Sequence, residues 1–283
     1  MSTPSPFVVS ADWLESRLHQ PGLSVIDASW YLPAQGRDAR AEYETAHVPG
    51  AIFFNQDHVV EPHSTLPHTL PRPAVFARFA SAMGVDEEDT IVVYDGPGFF
   101  SAPRVWWMFR TMGAKNVLVL DGGFDRWKAE GRPVSTEPTK VAPGFFEEEC
   151  DAKRVASLDD MRAIVDTGSA QIADARPAGR FTGADPEPRP GMRSGHMPGA
   201  KNVPATSLSR DGSLLSVEEL RAVLEGAGID LSKPVVTSCG SGVTAAVISL
   251  ALASVGHEDN RLYDGSWTEW GGLADTPVVT GSE

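Results

Sequence analysis

The sequence predicts an α/β fold made of two tandem copies of one domain, each a mostly parallel sheet with helices on both faces. Three observations carry this. Short apolar runs alternate with longer helix-like runs, the pattern of strands joined by crossover helices. Four sequence pairs recur in the same order at separations of 143 to 149 residues. Finally, Ser238-Cys239-Gly240-Ser241-Gly242-Val243-Thr244-Ala245 reads as a tight loop between a buried strand and a helix.

The elements follow in order. Ser10-Ala11-Asp12-Trp13-Leu14 and Ser157-Leu158-Asp159-Asp160-Met161 each look like an N-cap opening an amphipathic helix, because a serine oxygen can accept an orphan N–H of the first turn. Val25-Ile26-Asp27-Ala28 and Gln171-Ile172-Ala173-Asp174-Ala175 read as strands ending in Asp-Ala. His47-Val48-Pro49-Gly50-Ala51 matches His196-Met197-Pro198-Gly199-Ala200, and histidines present in both copies read as structural. The first copy continues with a helix over residues 73–80, a strand over 90–94, a helix over 104–112 and a strand over 117–120. Leu120-Asp121-Gly122-Gly123-Phe124 with Trp127 matches Tyr263-Asp264-Gly265-Ser266-Trp267 with Trp270. In the second copy a strand over 235–237 leads through the cysteine loop to a helix over 245–252. Between the copies, Pro138, Pro143, Gly144 and the run Glu147-Glu148-Glu149 have the composition of a linker. The expected units are residues 1–137, a linker 138–152, and residues 153–283, a usual domain size.

Composition narrows the function. Hydrophobic residues are 41% and charged residues 22% of the chain, enough apolar content for proper cores. A net charge of −14 argues against nucleic acid or an anionic membrane as partner. Two cysteines cannot build a disulfide framework, which fits a reducing compartment. The start, Met1-Ser2-Thr3-Pro4-Ser5-Pro6, has no basic and then apolar region, so no signal peptide is expected. No apolar run reaches the roughly 18 residues of a membrane span. A cytoplasmic protein is the expectation.

Cys239 heads its loop at the carboxyl end of a strand, where open parallel sheets hold their ligands. Gly240 and Gly242 permit backbone angles that turn successive N–H groups toward one point. The helix that follows adds the positive end of its dipole. A sulfur held there favours the thiolate, its reactive form. The plainer reading is a small buried apolar residue at a strand end. Cys150, in the linker and without a basic neighbour before Lys153, reads as a thiol without a role. The first copy has Asp95 where Cys239 stands, and a differently built loop, so it reads as a partner that shapes the site.

Several chemistries fail on spacing. A cysteine phosphatase places an arginine six positions after its nucleophile to grip phosphoryl oxygens, and Ala245 stands there. A serine-hydrolase elbow needs glycines two before and two after its nucleophile, which neither Ser241 nor Cys239 has. No Gly-Lys-Ser/Thr follows a glycine-rich loop, and one loop cysteine does not make a zinc site. The reading left is a thiolate that attacks a sulfur and carries it as a persulfide.

The cysteine loop, the two His-x-Pro-Gly-Ala motifs, Asp27-Ala28-Ser29-Trp30, Ser101-Ala102-Pro103-Arg104-Val105-Trp106-Trp107 and Tyr263-Asp264-Gly265-Ser266-Trp267 resemble the tandem rhodanese-domain sulfurtransferases. The resemblance spans nearly the whole chain. It implies two rhodanese-like domains, the first inactive and the second bearing the persulfide cysteine, with no metal or organic cofactor. Members that use thiosulfate carry Arg and Lys directly after the cysteine. Gly240 and Ser241 in those places point instead to the branch that uses 3-mercaptopyruvate. That branch holds its substrate with two arginines, which map to Arg180 and Arg189; Arg suits a bidentate grip on a carboxylate. Arg176 and Arg193 are read as solvated loop residues.

The branch also has a Ser-His-Asp arrangement beside the cysteine, matched here by Ser241, His68 and Asp57, with His58 and His63 as rivals for the histidine. Gly240, Gly242, Val243 and Thr244 complete the expected substrate-binding set. Asp57 and His68 belong to the first copy, so the site is expected between the domains. The implied partners are a small anionic sulfur donor and an acceptor such as cyanide, a thiol or thioredoxin. A thiosulfate:cyanide sulfurtransferase and a non-catalytic sulfur-relay module are the readings that stay open beside it.

Overall fold

The computed structural model describes residues 3–282. Met1 and Ser2, at the start of the segment read for a leader, and Glu283 lie outside the described residues. The first unit runs β1 (Val8–Val9), α1 (Ala11–Glu15), β2 (Leu23–Asp27), α2 (Ala39–Thr45), β3 (Ile52–Phe53), α3 (Pro73–Ala82), β4 (Thr90–Tyr94), α4 (Ala102–Thr111), β5 (Asn116–Leu120) and α5 (Gly123–Ala129). Its strands are parallel, in the order β1-β5-β4-β2-β3. The second unit begins with β6 (Val155–Ala156), α6 (Leu158–Thr167), β7 (Gln171–Asp174), α7 (Ala178–Thr182) and β8 (Ala200–Asn202). A small hairpin of β9 (Ser209–Arg210) and β10 (Ser213–Leu214) follows, then α8 (Val217–Gly226), β11 (Val235–Ser238), α9 (Ala245–Ser254), β12 (Asn260–Tyr263) and α10 (Ser266–Trp270). Its parallel sheet has the order β6-β12-β11-β7-β8, the same path as the first.

The local causes match the residues. Ser10 Oγ accepts the Trp13 N–H at 3.2 Å and starts α1. Ser157 and Asp160 form a reciprocal capping box at α6, which satisfies two orphan N–H groups. Strand β4 is buried from Ile91 to Tyr94, as a parallel strand covered on both faces must be. The repeated histidines act as staples. His47 stacks on Tyr43 and pairs its backbone with Ser135, and His196 stacks on Phe181 and pairs with Val279.

The two units share one core. Helix α9 is apolar nearly all round and packs against α4, so Val105 and Met108 join the same cluster as Val247 and Leu250. A helix with no polar face has to be covered on every side. The N-terminal arm crosses to the second unit, where the Thr3 hydroxyl donates to Glu218 and the Ser5 and Ser254 hydroxyls meet at 2.7 Å. Among the described residues, no helix is long and apolar enough to cross a membrane.

Candidate active site

Cys239 follows the last residue of β11 and is 1% exposed. Its backbone is tied to α10: the Trp267 N–H donates to the Cys239 carbonyl at 2.9 Å, and the Thr268 N–H to the Gly240 carbonyl at 2.9 Å. The Gly242 N–H donates to Cys239 Sγ at 3.1 Å. The two glycines do different work from what the sequence suggests. Gly242 alone takes a left-handed backbone, at φ +80°. Gly240 supplies room, since a Cβ on it would lie 3.1 Å from Arg180 Nη2 and 3.9 Å from Arg189 Nη1. Both guanidinium groups therefore lie beside the sulfur loop.

Those two arginines are not equivalent. Glu187, whose side chain is 3% exposed, binds Arg180 through Nη2 and Nε, and binds Arg176 Nη1 at 2.8 Å. Arg180 thus shares its charge with a buried carboxylate. Arg189 has a looser tie, Nη1 to Thr268 Oγ1 at 3.4 Å.

The solvated-loop reading of Arg176 and Arg193 is wrong. Arg176 is 1% exposed, bound to Asp174 and Glu187 and stacked 4.2 Å over Trp267. Burial works against its charge, and the two carboxylates outweigh it, so its pKa rises. Arg193 donates to the carbonyls of Trp270, Gly271 and Thr276 and ties the chain end to α10. Both arginines sit in a Pro/Gly-rich segment, and its composition hides the partners that the fold supplies.

Ser241, His68 and Asp57 form one hydrogen-bonded chain across the two units. His68 Nδ1 is 3.0 Å from Ser241 Oγ, and its Nε2 is 3.1 Å from Asp57 Oδ1. The Trp30 indole N–H donates to Asp57 at 3.1 Å, and its ring meets the His68 ring edge-on at 4.7 Å. The His68 ring holds the Asp57 carboxyl below the usual carboxylate range. His68 is buried, whereas the Asp57 side chain is 60% exposed, so the chain runs from the sulfur loop out to solvent. The rivals His58 and His63 are exposed.

A cavity of about 260 Å³ opens over Cys239, lined by Arg180, Arg189, Gly240, Ser241, Val243 and Thr244 from the second unit and by Trp30, Leu32 and Phe100 from the first. The sequence reading left out that aromatic and aliphatic wall. Its signal was available: Trp30 and Phe100 stand just past the carboxyl ends of β2 and β4, where ligands of parallel sheets bind. Arg104 and Asp264 meet at 2.6 Å beneath the site; both lie in the motifs that carry the family resemblance, and neither belongs to the site residues expected from sequence.

The family model for the Rhodanese-like domain matches residues 10–130 and again 157–273. The chain belongs to that family. Among the relatives of this rhodanese-family chain is the 3-mercaptopyruvate sulfurtransferase of Escherichia coli (strain K12), 43% identical over 95% of this chain and 96% of the relative. The thiosulfate/3-mercaptopyruvate sulfurtransferase 1, mitochondrial, of Arabidopsis thaliana is 41% identical over 98% of this chain and 79% of the relative. The crystal structure of SseA from Escherichia coli, described with the "Rhodanese" fold and catalytic mechanism of "3-mercaptopyruvate sulfotransferases", superposes with a TM-score of 0.86 at 40% identity. It covers 92% of this chain and 98% of that one.

Proposed function

We propose that this rhodanese-family protein is a 3-mercaptopyruvate sulfurtransferase that carries sulfur as a Cys239 persulfide. The observation that carries the reading is the distribution of charge about the sulfur. Arg180 and Arg189 stand at the side of the loop, and the loop itself offers Gly240 and Ser241 but no cation. A carboxylate a few atoms from the reacting sulfur suits that arrangement.

In the first half-reaction Arg180 and Arg189 hold the donor carboxylate and carbonyl. The Cys239 thiolate attacks the donor sulfur, a new S–S bond forms, and the C–S bond breaks with its electron pair going to carbon as the enolate of pyruvate. A His68 ring protonated on both nitrogens can donate to Asp57 and to Ser241 together. Passing the Nδ1 proton through the Ser241 hydroxyl to the enolate yields pyruvate and leaves a neutral ring whose Nε2–H still donates to Asp57. The Gly242 N–H, with the loop around it, holds the persulfide. In the second half-reaction an acceptor thiolate or cyanide takes the outer sulfur, and the Cys239 thiolate returns.

On this reading residues 153–283 carry the sulfur, residues 1–137 supply Asp57, His68 and the apolar wall, and residues 138–152 connect them. Both cysteines are free, which supports a reducing and, on this reading, cytoplasmic setting. The acceptor is a small thiol, cyanide or thioredoxin. Thiosulfate is the second donor to consider, because the Arabidopsis relative is named for both.

The test gives the purified protein each donor in turn and follows pyruvate and sulfite, with peptide mapping of the persulfide. The reading expects faster pyruvate release than sulfite release, and one added sulfur on Cys239. A preference for thiosulfate, or sulfur on Cys150, overturns it.

A further inference from the structure

The two units meet across an approximate two-fold repeat. In each, the aspartate of the repeated Asp-Gly motif accepts the backbone N–H of a leucine from the other unit: Asp121 from Leu214 at 3.3 Å, and Asp264 from Leu70 at 2.7 Å. Close before each leucine lies a non-glycine residue with left-handed backbone, Asp211 at φ +51° and His68 at φ +56°. Each of these presents its carbonyl to an arginine, Arg126 to Asp211 and Arg104 to His68. Holding the units together accounts for that much on both sides.

The sulfur side then departs from the repeat. On the other side the cation is Arg126, on α5 of the same unit as Asp121, and about a third exposed. On the sulfur side it is Arg104 of α4, 1% exposed and lying 4.7 Å over the Trp107 ring. Arg104 Nη2 donates at 2.6 Å both to the His68 carbonyl and to Asp264 Oδ1. Asp264 Oδ2 in turn accepts the Leu70 N–H, so the pair holds the chain at the His68 carbonyl and again two residues on. Arg104 Nη1 also reaches the Gly242 carbonyl at 3.5 Å, and Gly242 is the residue whose N–H meets the Cys239 sulfur. A non-glycine residue in left-handed backbone persists only where its surroundings hold it. One buried cation from the unit without a thiol thus grips the backbone at both ends of the Ser241–His68 hydrogen bond.

We propose that Arg104, with Asp264, is a positioning residue for the reaction: it fixes the His68 ring against Ser241 and sets the Gly242 amide on the sulfur. The proposal rests on the proton-relay role given to His68. Its effect falls on proton delivery and not on donor capture, which Arg180 and Arg189 perform.

The repeat supplies its own control. Asp121→Asn loosens the matching contact, whose residues do not line the cavity over Cys239, and reports what interface damage alone does. Arg104→Gln is expected to lower kcat for pyruvate release by about tenfold to a hundredfold with donor KM within about twofold, the signature of an interaction used in the transition state. Arg104→Lys recovers part of that loss. Asp121→Asn lowers the melting temperature and keeps kcat. The His68 ring signals in histidine-labelled NMR spectra move in Arg104→Gln and stay in place in Asp121→Asn, and this readout needs no turnover. Asp264→Asn, which keeps an acceptor for the Leu70 N–H, gives the same pattern if Arg104→Gln does not fold. Unmoved His68 signals, a loss that resides in KM, or an equal kcat loss in Asp121→Asn overturns the proposal. A wild-type protein that releases no pyruvate overturns the functional reading instead, and leaves the NMR comparison to decide on Arg104.

Discussion

Asp95 and Cys239 follow the ends of matching strands, and the loop after each closes on a different kind of atom. Asp95 Oδ2 accepts the backbone N–H groups of Phe100, Ser101 and Ala102 at 2.9, 2.6 and 2.8 Å. Cys239 Sγ accepts the Gly242 N–H. The carbonyls behind them are tied alike, Asp95 to the Phe124 N–H at 2.8 Å and Cys239 to the Trp267 N–H at 2.9 Å. The first unit's loop amides are therefore occupied by its own carboxylate, which burial still pushes above the usual range. The second unit turns its loop toward a sulfur beneath a cavity. One backbone plan yields a filled site and a working one.

Donor choice should follow Arg189. It stands beside Gly240 with no carboxylate partner among the described residues, whereas Arg180 is held by Glu187. A hydrogen bond to a charged group is worth about 1.5–3 kcal/mol, or about tenfold to somewhat over a hundredfold in rate. Arg189→Ala is expected to lower kcat/KM for 3-mercaptopyruvate by about that factor and to leave thiosulfate turnover nearly unchanged. Replacing Gly240 by Arg and Ser241 by Lys should shift the ratio toward thiosulfate. The new Cβ at position 240 crowds Arg180 at 3.1 Å, and the serine hydroxyl is lost. The ratio of kcat/KM for the two donors in the three proteins checks this.

Asp57 should act through the orientation of the His68 ring. Its Oδ1 lies 3.1 Å from His68 Nε2 while Nδ1 faces Ser241 Oγ at 3.0 Å, so the carboxylate sets which ring nitrogen meets the hydroxyl. Asp57→Asn removes a charged hydrogen-bond partner and is expected to lower kcat for pyruvate release by about tenfold to a hundredfold with donor KM little changed. Single-turnover pyruvate release reads the loss, and an unchanged rate contradicts the role.

Asp27 makes stability depend on pH. Asp174, its counterpart, is paired with Arg176, but Ser29 stands in the arginine's place beside Asp27. Burial accordingly pushes Asp27 up to about 6. An unfolded aspartate titrates near 3.9, so between about 4 and about 6 the folded chain binds the extra proton. The stability this supplies is full below about 4 and is lost as pH rises through about 6, a difference on the order of 3 kcal/mol. Asp27→Asn keeps an acceptor for the Ser29 N–H and should be more stable than wild type at pH 7, by about 1–3 kcal/mol on the same scale. Urea midpoints at pH 4, 6 and 7.5 should converge toward the acid end.

A fragment of residues 153–283 has a complete copy of the repeat but not a complete surface. Removing the first unit uncovers the face of α9 that α4 covers, and it removes the arm that bonds Glu218 and Ser254. Exposed apolar area of that kind drives association. The fragment is expected to self-associate and to turn over 3-mercaptopyruvate poorly. A monomer of full activity, by size-exclusion chromatography and pyruvate release, would mean that the units are independent.

The sequence by itself determined the repeat, the strand-loop-helix that holds Cys239, and the absence of a thiol in the first unit. Those features are local. A buried strand, a capped helix and a glycine loop each carry their cause within a few neighbouring residues, and the same pattern met twice at nearly one separation fixes the second copy. The structure alone decided which charges are buried and what they touch. Arg176 looks like a surface residue until β7 and the 187–189 turn bring Asp174 and Glu187 to it. Arg104 and Asp264 lie 160 positions apart and meet at 2.6 Å only because α4 packs on α9. The choice of His68 over His58 and His63 depends on which ring reaches Ser241, 173 positions away. Pairing of distant charges depends on how two sheets are set against each other, and no short stretch of sequence encodes that.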